Sequence, residues 1–499
     1  MKKEDSKDRY SHILRYTGLF GGVQGLNILI GIVRNKLVAM ILGPNGMGLI
    51  SLFNSTIKLV SDSTSFGISM SAVRNISEDF DRQNIEKLEA DVALVRSWSF
   101  LTALLGMFVC IAFSPLLSSF TFSWHGHTLH FIFLSPIVAM TAITGGELAV
   151  LKGVRRLKAL AGISVYSVIG ALLVSVPLYY IYKEKAIVPS LVIMAFIQMA
   201  LTIAVSYKIF PLRLSLSRSV LREGYSMIRL GIAFVFAGIL GSGADFVIRS
   251  YISNVAGIDT VGLFNAGYML TMTYVGTVFS AMETDFFPRL SGVSSLGFTF
   301  NRTVSNQIEV MLLLVSPLLV VFTFTLPILL PLLYTGKFLP ALGMIQIIVL
   351  AMYFRALKLP VEYIPLAKGD SLSYLFLEAF YDIVLVVLVI ILFRKFGLTG
   401  AGVAVTLAGI IDFIVVFIYA RLRYAYKPTA GIVKYTLIQL PIGLLAYAST
   451  WIADSRLYWS IGALLAILSM TASLSILRKK TRLWAALMRK LNKAFRRDE

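Results

Sequence analysis

The chain has little charge, almost no cysteine and no large polar domain. Only 14% of its 499 residues are Asp, Glu, Lys or Arg, while 57% are hydrophobic and the mean hydropathy is +0.80. No soluble domain needs that much apolar surface. The one cysteine, Cys110, excludes a disulfide within the chain. The sequence holds no GxxxxGK[ST] phosphate loop, which argues against direct ATP hydrolysis and leaves an ion gradient, the membrane potential or a substrate gradient as the energy source. Strands of alternating polarity, as a membrane barrel needs, are also missing. The longest connections, around 74–96, 120–130 and 284–307, are too small for catalytic domains, so no enzyme and no cofactor is expected. No cleavable signal peptide is visible, because the first apolar stretch is long and holds Arg34 and Lys36.

What fills the chain instead is membrane-length apolar sequence. Fourteen stretches qualify: 16–42, 46–70, 97–119, 131–151, 161–182, 187–205, 230–256, 260–283, 308–334, 341–367, 372–393, 400–420, 431–451 and 457–476. Helices are expected throughout, since hydrocarbon cannot satisfy an open sheet edge. The net charge of +20 is unevenly placed. With the N-terminus inside, inner connections hold Lys152, Arg155, Arg156 and Lys158, then Lys208, Arg213, Arg218 and Arg222, then Arg421, Arg423 and Lys427, and the tail from Arg478 to Arg497 adds nine more. Outer connections hold only Lys183, Lys185, Lys337, Arg394, Lys395 and Arg456. This bias places both termini on the cytoplasmic side. Basic residues scattered in this way set topology and do not suit a nucleic-acid partner. His125, His127 and His130 share one outer loop, but their spacing matches no metal site, and a solvated loop is expected.

A short pattern occurs twice, as Gly43-Pro44-Asn45-Gly46-Met47-Gly48-Leu49 and as Gly257-Ile258-Asp259-Thr260-Val261-Gly262-Leu263. Each copy follows a membrane-length stretch with a cation near its end, Arg34 or Arg249. The repeat divides the chain into 1–207 (N-terminal lobe, spans one to six), 208–229 (cytoplasmic linker) and 230–427 (C-terminal lobe, spans seven to twelve). Extra spans follow at 428–477, then a basic tail at 478–499 with amphipathic spacing. The expected fold is an all-α polytopic membrane protein of about fourteen helices. Two six-helix lobes are related by a parallel repeat, with two further C-terminal helices.

Charges inside spans are expensive and face a cavity or one another. Arg34 and Arg249, at matching depth, suit a substrate diphosphate through the bidentate guanidinium fork. The alternative is that both snorkel to headgroups, and Asp245 is placed to pair with Arg249 at i,i+4. Lys58 and Asp62 stand one turn apart in span two and either face a wet cavity or hold the fold. Arg74, at the inner mouth of that span, could meet an incoming headgroup or simply set topology. Spans ten and eleven match Arg355 and Lys358 in depth with Asp382 and Glu378, giving Lys358–Glu378 and Arg355–Asp382 bridges. The sharper reading makes Glu378 or Asp382, with Asp62 and Asp245, candidates for ion coupling. Glu147, near the inner mouth of span four, admits either role.

The stretch Leu19-Phe20-Gly21-Gly22-Val23-Gln24 through Ile41-Leu42-Gly43-Pro44-Asn45-Gly46-Met47-Gly48, with Phe66-Gly67-Ile68 and Ser71-Ala72-Val73-Arg74, resembles bacterial O-antigen translocases of the polysaccharide-transporter family. That family shares a superfamily with multidrug exporters and the lipid II flippase. The second copy, continuing as Leu263-Phe264-Asn265-Ala266-Gly267-Tyr268, fits the same pattern. The resemblance implies a two-lobed flippase in the bacterial inner membrane. It would move undecaprenyl-diphosphate-linked oligosaccharide from the cytoplasmic to the periplasmic leaflet by alternating access. Arg34, Arg249, Lys58 and Arg74 would hold the diphosphate, and H+ or Na+ would couple. Membrane lipids are implied partners, with polysaccharide polymerase machinery a further candidate. Alternatives are a lipid II flippase, whose count is also fourteen spans, and an organic-cation antiporter, which the cationic pair disfavours.

Overall fold

The computed structural model of the chain describes residues 4–122, 126–214, 218–293 and 296–480. His125 and residues 481–499 of the expected basic tail lie outside them. Among the described residues every regular element is a helix. The sequence dictates this, because apolar side chains can face lipid but the backbone must bond to itself there.

Helix α1 (Glu4–Thr64) holds two spans in one element: its apolar part, 22–64, is 43 residues long, about twice what a bilayer needs. The chain turns at Gly43, whose φ of 66° and ψ of −166° are open to glycine alone. Helix α2 (Ile68–Asp81) follows a break at Phe66 and Gly67, both with positive φ. Helices α3 (Ile85–Ala112), α4 (Ser114–Thr121) and α5 (Thr128–Gly153) come next. Asn84 caps α3 by accepting the Lys87 backbone N–H at 3.2 Å. The 50-residue apolar stretch 157–206 is again two spans, α6 (Leu157–Tyr182) and α7 (Ile187–Ser206), divided at Lys183. Helix α8 (Arg218–Ala256) leads to α9 (Ile258–Tyr268), a π-helical segment (Met269–Val275) and α10 (Gly276–Ser291), which together make the eighth span. Then come α11 (Phe298–Leu333), α12 (Leu342–Ala367) and α13 (Ser371–Tyr424), the last a third double-length element that turns at Gly397. Helices α14 (Ala430–Ser449) and α15 (Ser455–Lys480) complete the all-α polytopic architecture expected from the sequence; ten stretches of the described residues are long and apolar enough to cross a membrane, three of them about twice that length.

The chain forms two compact units. The first contains residues 1–266 and 331–338, and the second 267–330 and 339–499. The division falls inside α9, beyond the 208–229 linker at which the repeat divides the sequence. In the first unit Ile68, Ala72 and Ile76 of α2 pack on Leu88, Val92 and Val95 of α3 and on Val150 and Val154 of α5. The Lys36 ammonium donates to the Pro331 carbonyl at 2.7 Å, which ties the 331–338 segment into this unit. In the second unit Val320 and Phe324 of α11 pack on Ile442 and Ala446 of α14 and on Tyr458 and Leu465 of α15. Gln439 bonds Ser473 Oγ at 2.9 Å and Ser469 Oγ at 2.6 Å, which joins α14 to α15.

Candidate functional site

The two copies of the glycine pattern meet in the first unit. A Cβ on Gly48 would lie 2.1 Å from the Ile258 carbonyl oxygen, and one on Gly262 would lie 1.9 Å from that of Pro44. Pro44 and Ile258 hold the same place in the two copies, as do Gly48 and Gly262. The contact is therefore reciprocal, as a local twofold axis requires. The first glycines, Gly43 and Gly257, serve the turns, with φ of 66° and 84°.

The cations singled out in the sequence lie in the same unit. Arg34 is half-buried; its Nε donates to Ser175 Oγ at 3.0 Å and its Nη2 reaches Met194 Sδ at 3.3 Å. Among the described residues it has no carboxylate partner. Lys58 is exposed in the middle of the span, on a face it shares with exposed Asn54. Asp62, one turn on, feels the Lys58 charge without a direct ion pair and bonds Ser242. Arg74 is exposed on α2. Arg249 is different. It is buried, ion-paired to Asp245 at 2.8 Å, and donates to Ser51 Oγ at 2.9 Å and Asn265 Oδ1 at 3.4 Å. A diphosphate would have to displace these groups to reach it. The i,i+4 pairing of Asp245 with Arg249 is as the spacing suggested.

Glu147 has a structural partner that sequence reasoning missed. Arg96 of α3 grips it in two-point fashion, Nε to Oε1 at 2.8 Å and Nη2 to Oε2 at 3.2 Å, with both side chains 3% exposed. Ser206 donates to the same carboxylate at 2.5 Å, Arg96 Nη1 donates to the Pro211 carbonyl at 2.8 Å, and the guanidinium lies over the Tyr207 ring at 4.5 Å. One arginine thus fastens α3, α5, α7 and the start of the following connection.

In the second unit the expected bridges do not form. Lys358 pairs with Glu362 on its own helix, at 3.2 Å, and with Asp412 of α13. Matching depth fixes the height of two charges but not the direction in which they point, and Glu362 at i,i+4 has the shorter reach. Glu378 hydrogen-bonds Glu362 and Tyr374, while Asp382 does not partner Arg355. Arg355 Nη1 instead reaches the carbonyl and the sulfur of Met272, each at 3.5 Å.

His127 and His130 are not simply solvated. His127 stacks on Phe122, centroids 4.0 Å apart, and His130 stacks on Phe53 at 6.0 Å. Loss of hydration holds His127 below the usual imidazole range, with the neighbouring His130 adding to the shift. Among the described residues no group of three His, Cys, Asp or Glu could hold a metal ion.

Residues 13–294, more than half the chain, match the family described as "polysaccharide biosynthesis protein". No curated protein matches. Among solved structures the chain is similar to the lipid II flippase MurJ in an inward closed conformation (TM-score 0.66, 15% identity, 93% of this chain and 99% of that one). It is also similar to a multidrug resistance MATE family transporter of the MOP superfamily in an inward-facing conformation (TM-score 0.63, 13% identity, 80% and 94%). A MOP superfamily transporter from Pyrococcus furiosus is similar as well, with TM-score 0.52 and 14% identity over 82% and 93%. At such identities the likeness shows the fold. The multi-pass helical architecture, the doubled glycine pattern and the family match agree: the chain belongs to the polysaccharide biosynthesis protein family and has the fold of MOP-superfamily transporters.

Proposed function

We propose that the protein moves an undecaprenyl-diphosphate-linked oligosaccharide from the cytoplasmic to the periplasmic leaflet of the bacterial inner membrane by alternating access. One observation carries this reading: among the described residues, the first unit keeps cations within its membrane-spanning part that no carboxylate directly pairs with, Arg34 among them and Lys58 on an exposed face. Such a group costs several kcal/mol inside a bilayer and is kept where an anion needs it. Arg74 would meet the headgroup on the way in, Lys58 would receive it midway, and Arg34 would offer its fork to the diphosphate. Arg249 would hold the frame around these groups, with Asp245 as its counter-ion.

Of the four carboxylates considered for ion coupling, Asp62 fits the geometry best. A diphosphate at Lys58 would compete with Asp62, one turn away, for the same ammonium charge, so substrate and coupling ion would meet at one lysine. Organic-cation export fits poorly, because the uncompensated charge is positive.

The test is leaflet exchange in proteoliposomes. A fluorescent undecaprenyl-diphosphate oligosaccharide is followed by its accessibility to external glycosidase, with lipid II and an organic cation as parallel substrates. The expected result is protein-dependent exchange of the oligosaccharide that falls at least tenfold in Arg34→Ala and in Lys58→Ala, both folded. Transport of the organic cation alone would overturn the reading. Preference for lipid II would change the headgroup and keep the mechanism.

A further inference from the structure

The second unit contains a cavity of about 330 Å³, walled by the π-helical stretch on one side and by α12 and α13 on the others. That is at the small end of ligand cavities, roughly 300–1,000 Å³. Four tyrosines face it, Tyr268, Tyr363, Tyr374 and Tyr381, together with Arg355, Lys358, Glu362 and Glu378. A π-helical segment in a membrane span is uncommon and is often found at functional sites. Here it carries Met272 into the cavity wall.

The charges in the wall fall into two sets. Lys358 is committed: Glu362 and Asp412 hold it on either side, and its ammonium lies over the Tyr381 ring at 4.8 Å. Arg355 is not committed in this way, and Glu378 has hydrogen bonds to Glu362 and Tyr374 but no cation against it. Among the described residues neither forms an ion pair. The Arg355 guanidinium has only two long contacts with Met272 and the Phe279 ring at 5.6 Å. The cavity therefore offers one fork of donors, one carboxylate and several phenol hydroxyls, each able to donate or accept, beside aromatic faces. The two cations, Lys358 and Arg355, stand among three carboxyl groups, Glu362, Glu378 and Asp412, so there is no surplus positive charge for a diphosphate or an acidic sugar. The polar lining refuses an acyl chain. The lysine ammonium already occupies the place between Glu362 and Asp412 that a free cation would seek.

We propose that this cavity is a sugar subsite, taking one uncharged sugar residue of the lipid-linked oligosaccharide, with Arg355 and Glu378 bonding its hydroxyls and the tyrosine faces covering its ring. The proposal rests on the flippase reading above and adds to it the part of the substrate that the second unit recognises. A hydroxyl bonded to a charged group carries roughly a ten- to hundredfold preference over its absence.

The experiment compares two lipids in proteoliposomes containing the full chain: lipid-linked oligosaccharide extracted from the cells that make the protein, and bare undecaprenyl diphosphate. Each is assayed for binding and exchange with the wild type, Arg355→Gln, Glu378→Gln, Tyr374→Phe and Arg34→Ala, with thermal unfolding as the folding control. The wild type is expected to favour the glycosylated lipid at least tenfold. Arg355→Gln and Glu378→Gln should abolish that preference and leave bare-lipid binding unchanged, whereas Arg34→Ala should weaken both lipids equally. Equal losses for both lipids in the Arg355 and Glu378 variants, or no loss for either, would overturn the subsite and leave the flippase standing. A wild type that moves neither lipid would overturn the flippase reading, and the subsite with it.

Discussion

The reciprocal glycine contact makes a prediction whose size follows from the geometry. In Gly262→Ala the new methyl would stand 1.9 Å from the Pro44 carbonyl oxygen, 2.8 Å from its carbon and 3.1 Å from the Gly48 nitrogen. Ordinary contact begins near 3.4 Å, so the helices must part by about 1.5 Å. The obstructing atoms are backbone, and no rotamer change relieves them. Overpacking of this kind costs about 1–3 kcal/mol, and at about 2 °C per kcal/mol for a unit of this size the midpoint should fall by roughly 2–6 °C. Gly48→Ala meets the Ile258 carbonyl in the same way and should cost a similar amount. One separation of the helices relieves both clashes, so the double variant should cost clearly less than the sum of the singles. Gly43→Ala and Gly257→Ala provide the contrast. Neither methyl would touch anything within 4 Å, and their cost should be the backbone penalty of the positive-φ conformation, about 1–3 kcal/mol each, adding independently. The assay is thermal unfolding of the detergent-purified protein, read as midpoints across the four single variants and the double variants of each pair. Wild-type midpoints for both Gly262→Ala and Gly48→Ala, or strict additivity in their double variant, would refute the reciprocal contact.

Other groups make equally definite predictions. Glu147→Gln leaves Arg96 buried without its counter-ion and should destabilise by about 3–5 kcal/mol, whereas Arg96→Leu with Glu147→Leu should recover most of that; a double variant worse than either single would contradict the clamp. Asp245→Asn should lower the unfolding midpoint by stranding buried Arg249, and Arg249→Met combined with it should restore part of the loss, as a double-mutant cycle would show. Asp370, which caps α13 outside the membrane, is held below the usual carboxylate range first by the Ser373 hydroxyl, then by the Ser373 backbone N–H, Tyr424 and Arg423. A depressed carboxyl contributes stability that is present above its unfolded value and lost as pH falls through its folded one. Asp370→Ala should therefore cost about 0.5–2 kcal/mol near neutrality and progressively less on acidification, a trend that unfolding midpoints from pH 7 to pH 3 would check.

What could be read from the sequence and what could not divide along a physical line. Span length and depth follow from counting residues, so the all-helical, multi-pass layout and the local Asp245–Arg249 pair were legible in the sequence. Even the turn at Gly43 could be read, because a helix twice the thickness of a bilayer must double back and glycine tolerates the required dihedrals. Azimuth is another matter. Each residue rotates a helix by about 100°, and a helix in a bundle has several neighbours, so equal depth leaves the partner undecided. The bridge expected between Lys358 and Glu378 had the right height and the wrong direction; Lys358 instead joined Asp412, 54 positions away. The Arg96–Glu147 clamp spans 51 positions. It left one trace in the sequence, two opposite charges near the inner ends of adjacent spans three and four. Weighing every intramembrane charge against all opposite charges at its depth would have offered that pair. Among the described residues Arg34 has no carboxylate partner, and a membrane cation of that kind is the one that sequence and structure together point to as waiting for a ligand.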